Sequence, residues 1–161
     1  MPIDKNNAML QYLLTCEPIN GSTLYFNFAN AKDAITQFIT LSNDRNIDTP
    51  YIDGSVRKRY ALTVMSWLSI SDNPIVKVEG FDNENISDIA EVQTLMDWVN
   101  EQETLKNYPD FGEDIEVEAI RTTSNNPRLD EIDATSSPAL ARYSFTIQVD
   151  YIDYSLKLWN N

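Results

Sequence analysis

The chain has 161 residues, 42% of them apolar and 11% aromatic, which suits one folded domain with a real core and argues against disorder. Twelve basic against 25 acidic residues leave a formal charge of −13, which weighs against binding to nucleic-acid phosphates, an affinity built from clustered Lys and Arg. Histidine is absent and Cys16 is the single cysteine, which excludes Ser-His and Cys-His nucleophile pairs, a Cys-based zinc site and an internal disulfide.

Residues 5–16, KNNAMLQYLLTC, predict a first helix with Asp4 as N-cap and Met9, Leu10, Leu13 and Leu14 at helical spacing. Glu17-Pro18 ends it, because the residue before proline is driven out of the helical region. Cys16, on an apolar stretch, reads as a small buried hydrophobe. Leu24, Phe26 and Phe28 alternate with polar neighbours and predict a strand. The segment 31–41, AKDAITQFITL, is read as a second strand from its β-branched density.

The run Tyr51 to Ile70 is the organising stretch. Asp53-Gly54 marks a tight turn. A strand of about 14 residues follows, longer than the usual five or six. Tyr60, Leu62, Val64, Leu68 and Ile70 point one way. Arg59, Ala61, Thr63, Met65, Trp67 and Ser69 point the other, on a face too apolar for plain solvent and too polar for a core. Met65 and Trp67 are therefore candidate contacts with something outside this sheet. The cluster Arg57-Lys58-Arg59 is expected to pair with acidic neighbours rather than grip a phosphate.

Residues 85 to about 106 predict the main helix, with acidic residues crowded into its first turns, where the helix dipole favours them. At about 100° per residue, Ile86, Ile89, Val92, Met96 and Val99 fall on one stripe that should pack on the sheet. Leu95, Trp98 and Leu105 are placed away from that stripe. Two readings of them stay open: a cluster covered by a loop of the same chain, or a subunit contact. Asn107-Tyr108-Pro109 stops the helix. A strand over 115–122 follows, with Ile115, Val117 and Ala119 inward and Glu116 and Glu118 outward. Residues 123–138, with two prolines and little that is apolar, predict a long loop. From Leu140 to Tyr154 the alternation is clean: Tyr143, Phe145, Ile147, Val149 and Tyr151 make a core face, and Ser144, Thr146, Gln148 and Asp150 a wet one. The tail 155–161 carries Trp159, which is expected to dock on its own domain or on a neighbour.

The whole predicts an α+β fold in a single domain over 1–161. An antiparallel, strongly twisted sheet of about four to five strands carries a long helix and a shorter N-terminal helix on one face. No stretch approaches the roughly 18 apolar residues of a membrane span and no signal core stands at the N-terminus, so a reducing cytosol is expected. No Gly-rich phosphate loop, G-x-S-x-G elbow or EF-hand spacing occurs. Asp130, Glu131 and Asp133 could hold a divalent ion only loosely, and solvated loop charge is the default. No catalytic residue, cofactor or metal is expected, and the chain is read as no enzyme.

The pieces PYIDGSVRKRYALTV, MDWVNEQ, NYPDFGE and RYSFTIQVDYID, in this order, resemble the tail terminator (tail completion) proteins of long-tailed bacteriophages, from about Leu24 to the end. The specific pieces are Tyr51-Ile52-Asp53-Gly54-Ser55, Asp97-Trp98 with Glu101-Gln102, and Pro109-Asp110-Phe111-Gly112. The resemblance implies a small α+β protein, assembled in the host cytoplasm and sited in the virion at the head-proximal end of the tail. There it forms a ring, typically a homohexamer, that caps the tail tube, stops its polymerisation and offers the surface for head–tail joining. Its partners would be itself, the tail tube protein and the head–tail connector or neck proteins, with DNA passing through the lumen without specific binding. Met65, Trp67, Leu95, Trp98, Leu105 and Trp159 would then serve subunit or partner contacts, and Glu116, Glu118 and Asp150 would line the lumen and repel DNA. Two other readings are a neck or head-completion protein and a monomeric acidic cytosolic module for a cationic partner.

Overall fold

A computed structural model describes residues 4–17, 24–26, 38–43, 48–69, 84–135 and 139–155. The chain runs through α1 (Lys5–Leu13), β1 (Leu24–Phe26), β2 (Phe38–Asn43), β3 (Thr49–Pro50), β4 (Val56–Ser69), α2 (Glu84–Leu105), β5 (Ile115–Thr122), β6 (Arg128–Asp133) and β7 (Leu140–Asp153). The class is α+β, with a strongly curled sheet. Its main path has five strands in the order β1-β2-β4-β7-β5, to which β3 adds on β4 and β6 on β7. Every described pairing is antiparallel except β1 with β2, which is parallel.

The centre of the sheet is the β4–β7 ladder, 14 residues from Val56↔Asp153 to Ser69↔Leu140 without a break. Both strands alternate cleanly, so the ladder sets Leu62 opposite Ile147 and Val64 opposite Phe145 on one face. That face joins the core, with Val149, Tyr151 and Ile120. α2 covers it with Val92, Leu95, Met96 and Val99, and α1 adds Met9, Tyr12 and Leu13, with Cys16 just beyond it buried as a small hydrophobe. Each large aliphatic side chain so buried contributes about 1.5–3 kcal/mol. α1 starts where Asp4 Oδ1 accepts the Asn6 N–H, and it closes at Leu14, short of the predicted end at residue 16.

The resembling motifs turn out to be corners of this core. Tyr51 to Ser55 is the β3–β4 turn: the Gly54 N–H donates to Tyr51 O, Ser55 N–H to Asp53 Oδ1, and Gly54 takes the positive φ of 86°. In Pro109-Asp110-Phe111-Gly112, Phe111 is buried edge-on against Tyr60 and Tyr151, with ring centroids 5.7 and 5.6 Å away. Gly112, at φ 113°, donates its N–H to Asp110 Oδ1 and turns the chain into β5.

Four expectations are corrected. Leu95 is fully buried in the core, and Trp98 is half-buried with its ring 5.3 Å from that of Tyr12. The Tyr12 hydroxyl donates to Asn107 O, so α1 packs along one flank of α2 and widens the buried arc beyond the sheet-facing stripe. The predicted loop 123–138 contains β6, which continues the β5 side of β7 after a short interruption and pairs residues 140–144 of β7. A bulge at Glu118 shifts the register of β5, so Ala119 lies opposite Asp150 on the far face and Ile120 takes the core position.

The outer edge of β5 is closed by side chains from α2 and the turn after it. Ile120 N–H donates to Glu103 Oε2 (2.8 Å), Thr122 N–H to Asn100 Oδ1 (3.1 Å), and the Tyr108 hydroxyl to Glu118 O (3.0 Å). Backbone groups that would template another strand are thereby occupied. The same helix therefore supplies both the core cover and the edge cap.

Leu95→Ala is expected to cost about 2–5 kcal/mol of stability. Leu105→Ala, at a position 63% exposed, should stay within about 0.5 kcal/mol. Urea unfolding of the two variants side by side checks the reassignment of Leu95.

Candidate functional site

The helices lie on one side of the sheet. The strict alternation of β4 and β7 sends a second set of side chains to the other: Arg57, Arg59, Ala61, Thr63, Met65 and Trp67 from β4, and Arg142, Ser144, Thr146, Gln148 and Asp150 from β7. Among the described residues no helix covers this side, yet Ala61, Trp67, Ser144 and Asp150 on it are buried.

One end of this face is built on Asp150. The ladder sets it opposite Arg59, whose Nε donates to Asp150 Oδ1 at 2.7 Å. Arg121 Nη1 lies 3.1 Å and Arg57 Nη2 3.9 Å from Asp150 Oδ2. Arg57 Nε also holds Glu118 Oε2 at 2.9 Å. Burial pushes the Asp150 carboxyl up, but the Arg59 hydrogen bond and the Arg121 and Arg59 charges outweigh it and hold the group below its usual value. A cleft of about 50 Å³ opens here between Thr49, Arg57, Lys58, Arg59 and Asp150.

The middle of the face is neutral, with the Thr63 and Thr146 hydroxyls 3.2 Å apart and Met65 half-buried. At the far end the Arg142 guanidinium lies 5.6 Å over the Trp67 ring. Arg142 reaches Glu131 at 3.3 Å and Asp130 at 3.7 Å, and Arg128 Nε donates to Asp130 at 2.6 Å. Trp67 Nε1 and Arg142 Nε are buried here without a hydrogen bond, Arg142 Nε being the atom that faces Asp130 Oδ2 at 3.7 Å.

The sequence-derived candidates sort as follows. Met65 and Trp67 do share this face, Trp67 being only 4% exposed under Arg142. Leu105 stands exposed at the end of α2, whereas Leu95 and most of Trp98 belong to the core. Trp159 lies outside the described residues. Asp150 is corrected from a wet lumen acid to a buried anion inside three arginines, because the register delivers Arg59 directly opposite it. Glu118 is paired to Arg57, and exposed Glu116 accepts from the Tyr154 hydroxyl at 2.8 Å. Arg57, Lys58 and Arg59 each pair with an acid, as expected from the sequence. Arg121 and Arg142 were missed: Arg142 lies directly opposite Trp67 once β4 and β7 are paired, and Arg121, opposite Gln148, comes beside Asp150 once β5 and β7 are paired.

Among the described residues, no group of three or more His, Cys, Asp or Glu side chains is placed to hold a metal ion. Asp130 and Glu131 are engaged by arginines, and Asp133 caps a turn by accepting from Thr135 N–H and Oγ1. No family model matches the chain, and no curated protein matches it. The arrangement is a row of arginine–carboxylate pairs at either end of a neutral middle, with the Trp67 ring buried beneath Arg142.

Asp150→Ala would leave Arg57, Arg59 and Arg121 facing one another. A loss of about 2–4 kcal/mol is expected in chemical denaturation, below the limit for a fully buried pair because Arg57 and Arg121 remain partly in water. Asp153 gives a pH-dependent counterpart. Burial raises its carboxyl, but the Ser155 hydroxyl and N–H and the Lys58 ammonium outweigh that and bring it down to about 2. Its stabilisation is complete above the unfolded value near 4 and disappears as pH falls towards 2. Melting temperatures between about pH 5 and 2 should fall less steeply in Asp153→Asn than in the parent.

Proposed function

We propose that the protein is a structural virion component, a tail terminator that assembles as a ring, caps the tail tube of a long-tailed phage, halts its growth and joins it to the head. The observation that carries this reading is the sheet's second face. It is ordered and partly buried, bears arginines with Met65 and Trp67, and has no helix over it among the described residues. Such a face suits a protein whose surface is completed by neighbours.

Three further features support it. The motifs of the resemblance are turn and core elements rather than reactive groups: Gly54 and Gly112 make corners, Phe111 anchors one of them, and Gln102 is buried near the end of α2. Ile52 is fully exposed and Tyr51 half so at the tip of the β3–β4 turn, an apolar tip suited to seating on a tube or neck protein. The −13 charge suits a channel through which DNA slides without sticking.

The second reading, a monomeric module for a cationic partner, is favoured by α2, which carries six acidic residues and no basic one. One experiment separates the two. Light scattering across concentration, with and without purified tail tubes, is expected to give a hexamer, or a monomer that binds once at the tube end and stops elongation. A monomer indifferent to tubes at every concentration would refute the ring reading and favour the cationic-partner module.

A further inference from the structure

The end of the sheet where β4 begins carries an apolar side chain left in water. Pro50, Tyr51 and Ile52 are exposed in succession, and Ile52 is fully so. Turns ordinarily take Gly, Pro, Asn, Asp or Ser, so an isoleucine next to Tyr51 at the tip does nothing for the turn itself. The backbone there is nevertheless fixed. The Gly54 N–H donates to Tyr51 O at 3.1 Å and the Tyr51 N–H to Ser55 O at 2.8 Å. Asp53 Oδ1 accepts from the Ser55 N–H at 3.0 Å and the Ser55 hydroxyl at 2.6 Å, and Ser55 is buried. Ile52 is thus a knob on a rigid corner, and seating it against a partner would order little that is not ordered already.

Around the knob the charge is one-sided. The pairings Val56↔Asp153 and Ile115↔Asp153 set the turn 51–55, the end of β7 and the start of β5 side by side, and the Tyr154 N–H donates to Asp114 O. Asp110, Glu113, Asp114 and Glu116 are exposed at this end, and none of them is ion-paired among the described residues. Asp110 accepts from the Gly112 N–H and Glu116 from the Tyr154 hydroxyl, both neutral donors. Arg57 and Lys58, which follow the turn, are held by Glu118 and Asp153. A second copy is a poor occupant for such a surface. Among the described residues every Lys and Arg except Lys5 already meets a carboxylate of its own chain, and Lys5 lies over the Tyr151 ring.

We infer that this tip docks on a different protein, one whose surface offers an apolar hollow for Ile52 with Lys or Arg at its rim. An apolar anchor inside a charged rim is the ordinary anatomy of a contact between two proteins, and the unpaired acids select a basic rim. The inference goes beyond the ring reading and does not depend on it. It sets the cationic partner at the end of the sheet and not on α2.

The probe is a synthetic amphipathic peptide of leucine and lysine, and its control is the same peptide with serine for every leucine. Each is titrated at about 150 mM salt and followed by fluorescence anisotropy. The leucine–lysine peptide should bind the parent, and Ile52→Ser should weaken that binding at least about tenfold. The serine–lysine peptide should bind both proteins weakly and equally. Glu113→Gln with Asp114→Asn should weaken binding about threefold or more, whereas Glu91→Gln with Glu101→Gln, the same charge removed from α2, should change it less than about twofold. All five positions are exposed, and melting curves confirm that the variants stay folded. Backbone amide shifts locate the contact independently and should fall on 51–55 and 112–116. A leucine–lysine peptide that does not bind, that binds Ile52→Ser as well as the parent, or that follows the α2 substitutions instead would overturn the assignment, as would amide shifts confined to α2. Oligomeric state, read separately by light scattering, decides the ring reading.

Discussion

Everything else in the molecule hangs on the 14-residue register between β4 and β7. A slip of a single residue would turn one strand over relative to the other, taking either Leu62 and Val64 or Phe145 and Ile147 out of the core and bringing Arg59 or Asp150 into it. The opposite outcome is secured from both sides at once. Apolar burial under α2 favours the observed register, and the Arg59–Asp150 pair directly across the ladder favours it again. Packing and electrostatics thus specify the same alignment, which is the consistency that distinguishes a unique fold from a merely compact one.

The long ladder also explains how the rest of the chain is placed. β7 is flanked by β4 along its whole length on one side, and on the other by β5 and then β6, two pieces of one interrupted edge. A polar stretch such as 123–133 gains little from burial, but β7 would otherwise expose a row of unpaired backbone groups, and pairing satisfies them. Where α2 passes beside β5, Asn100 and Glu103 take over the edge, so a helix chosen for its apolar stripe also terminates the sheet.

Electrostatics divides the molecule in a way that its net charge conceals. Acids gather on α2 and in the turn that follows, while most arginines stand on the other side of the sheet, each engaged with a carboxylate. Asp150 shows why counting charges along the chain is a poor guide to the field they make. Read alone, it is a solvated acid in a wet strand face; in place, it is the centre of three guanidinium groups and lies largely out of water. A face that reads as repelling anions is in fact held together by cations.

The α+β class, the strand pattern of β4, β5 and β7, the turn at Gly54 and the existence of a half-apolar second face were legible in the residues, because periodicity and turn chemistry are local properties. Trp67 on that face was legible for the same reason, and the pairing of Arg57, Lys58 and Arg59 with acids from the excess of carboxylates, though not which acids they meet. What lay beyond the sequence depends on which elements become neighbours. Leu95 and Trp98 look like a second exposed stripe until α1 is laid along the flank of α2 and Tyr12 meets Trp98. The bulge at Glu118 transfers Ala119 and Ile120 between faces, and no alternation rule foresees an inserted residue. The strand character of β6 and the arginine cage of Asp150 arise only from pairing to β7. Local alternation settles which way a side chain points; the tertiary structure alone decides what it meets there, because that is set by contacts between residues far apart in the chain.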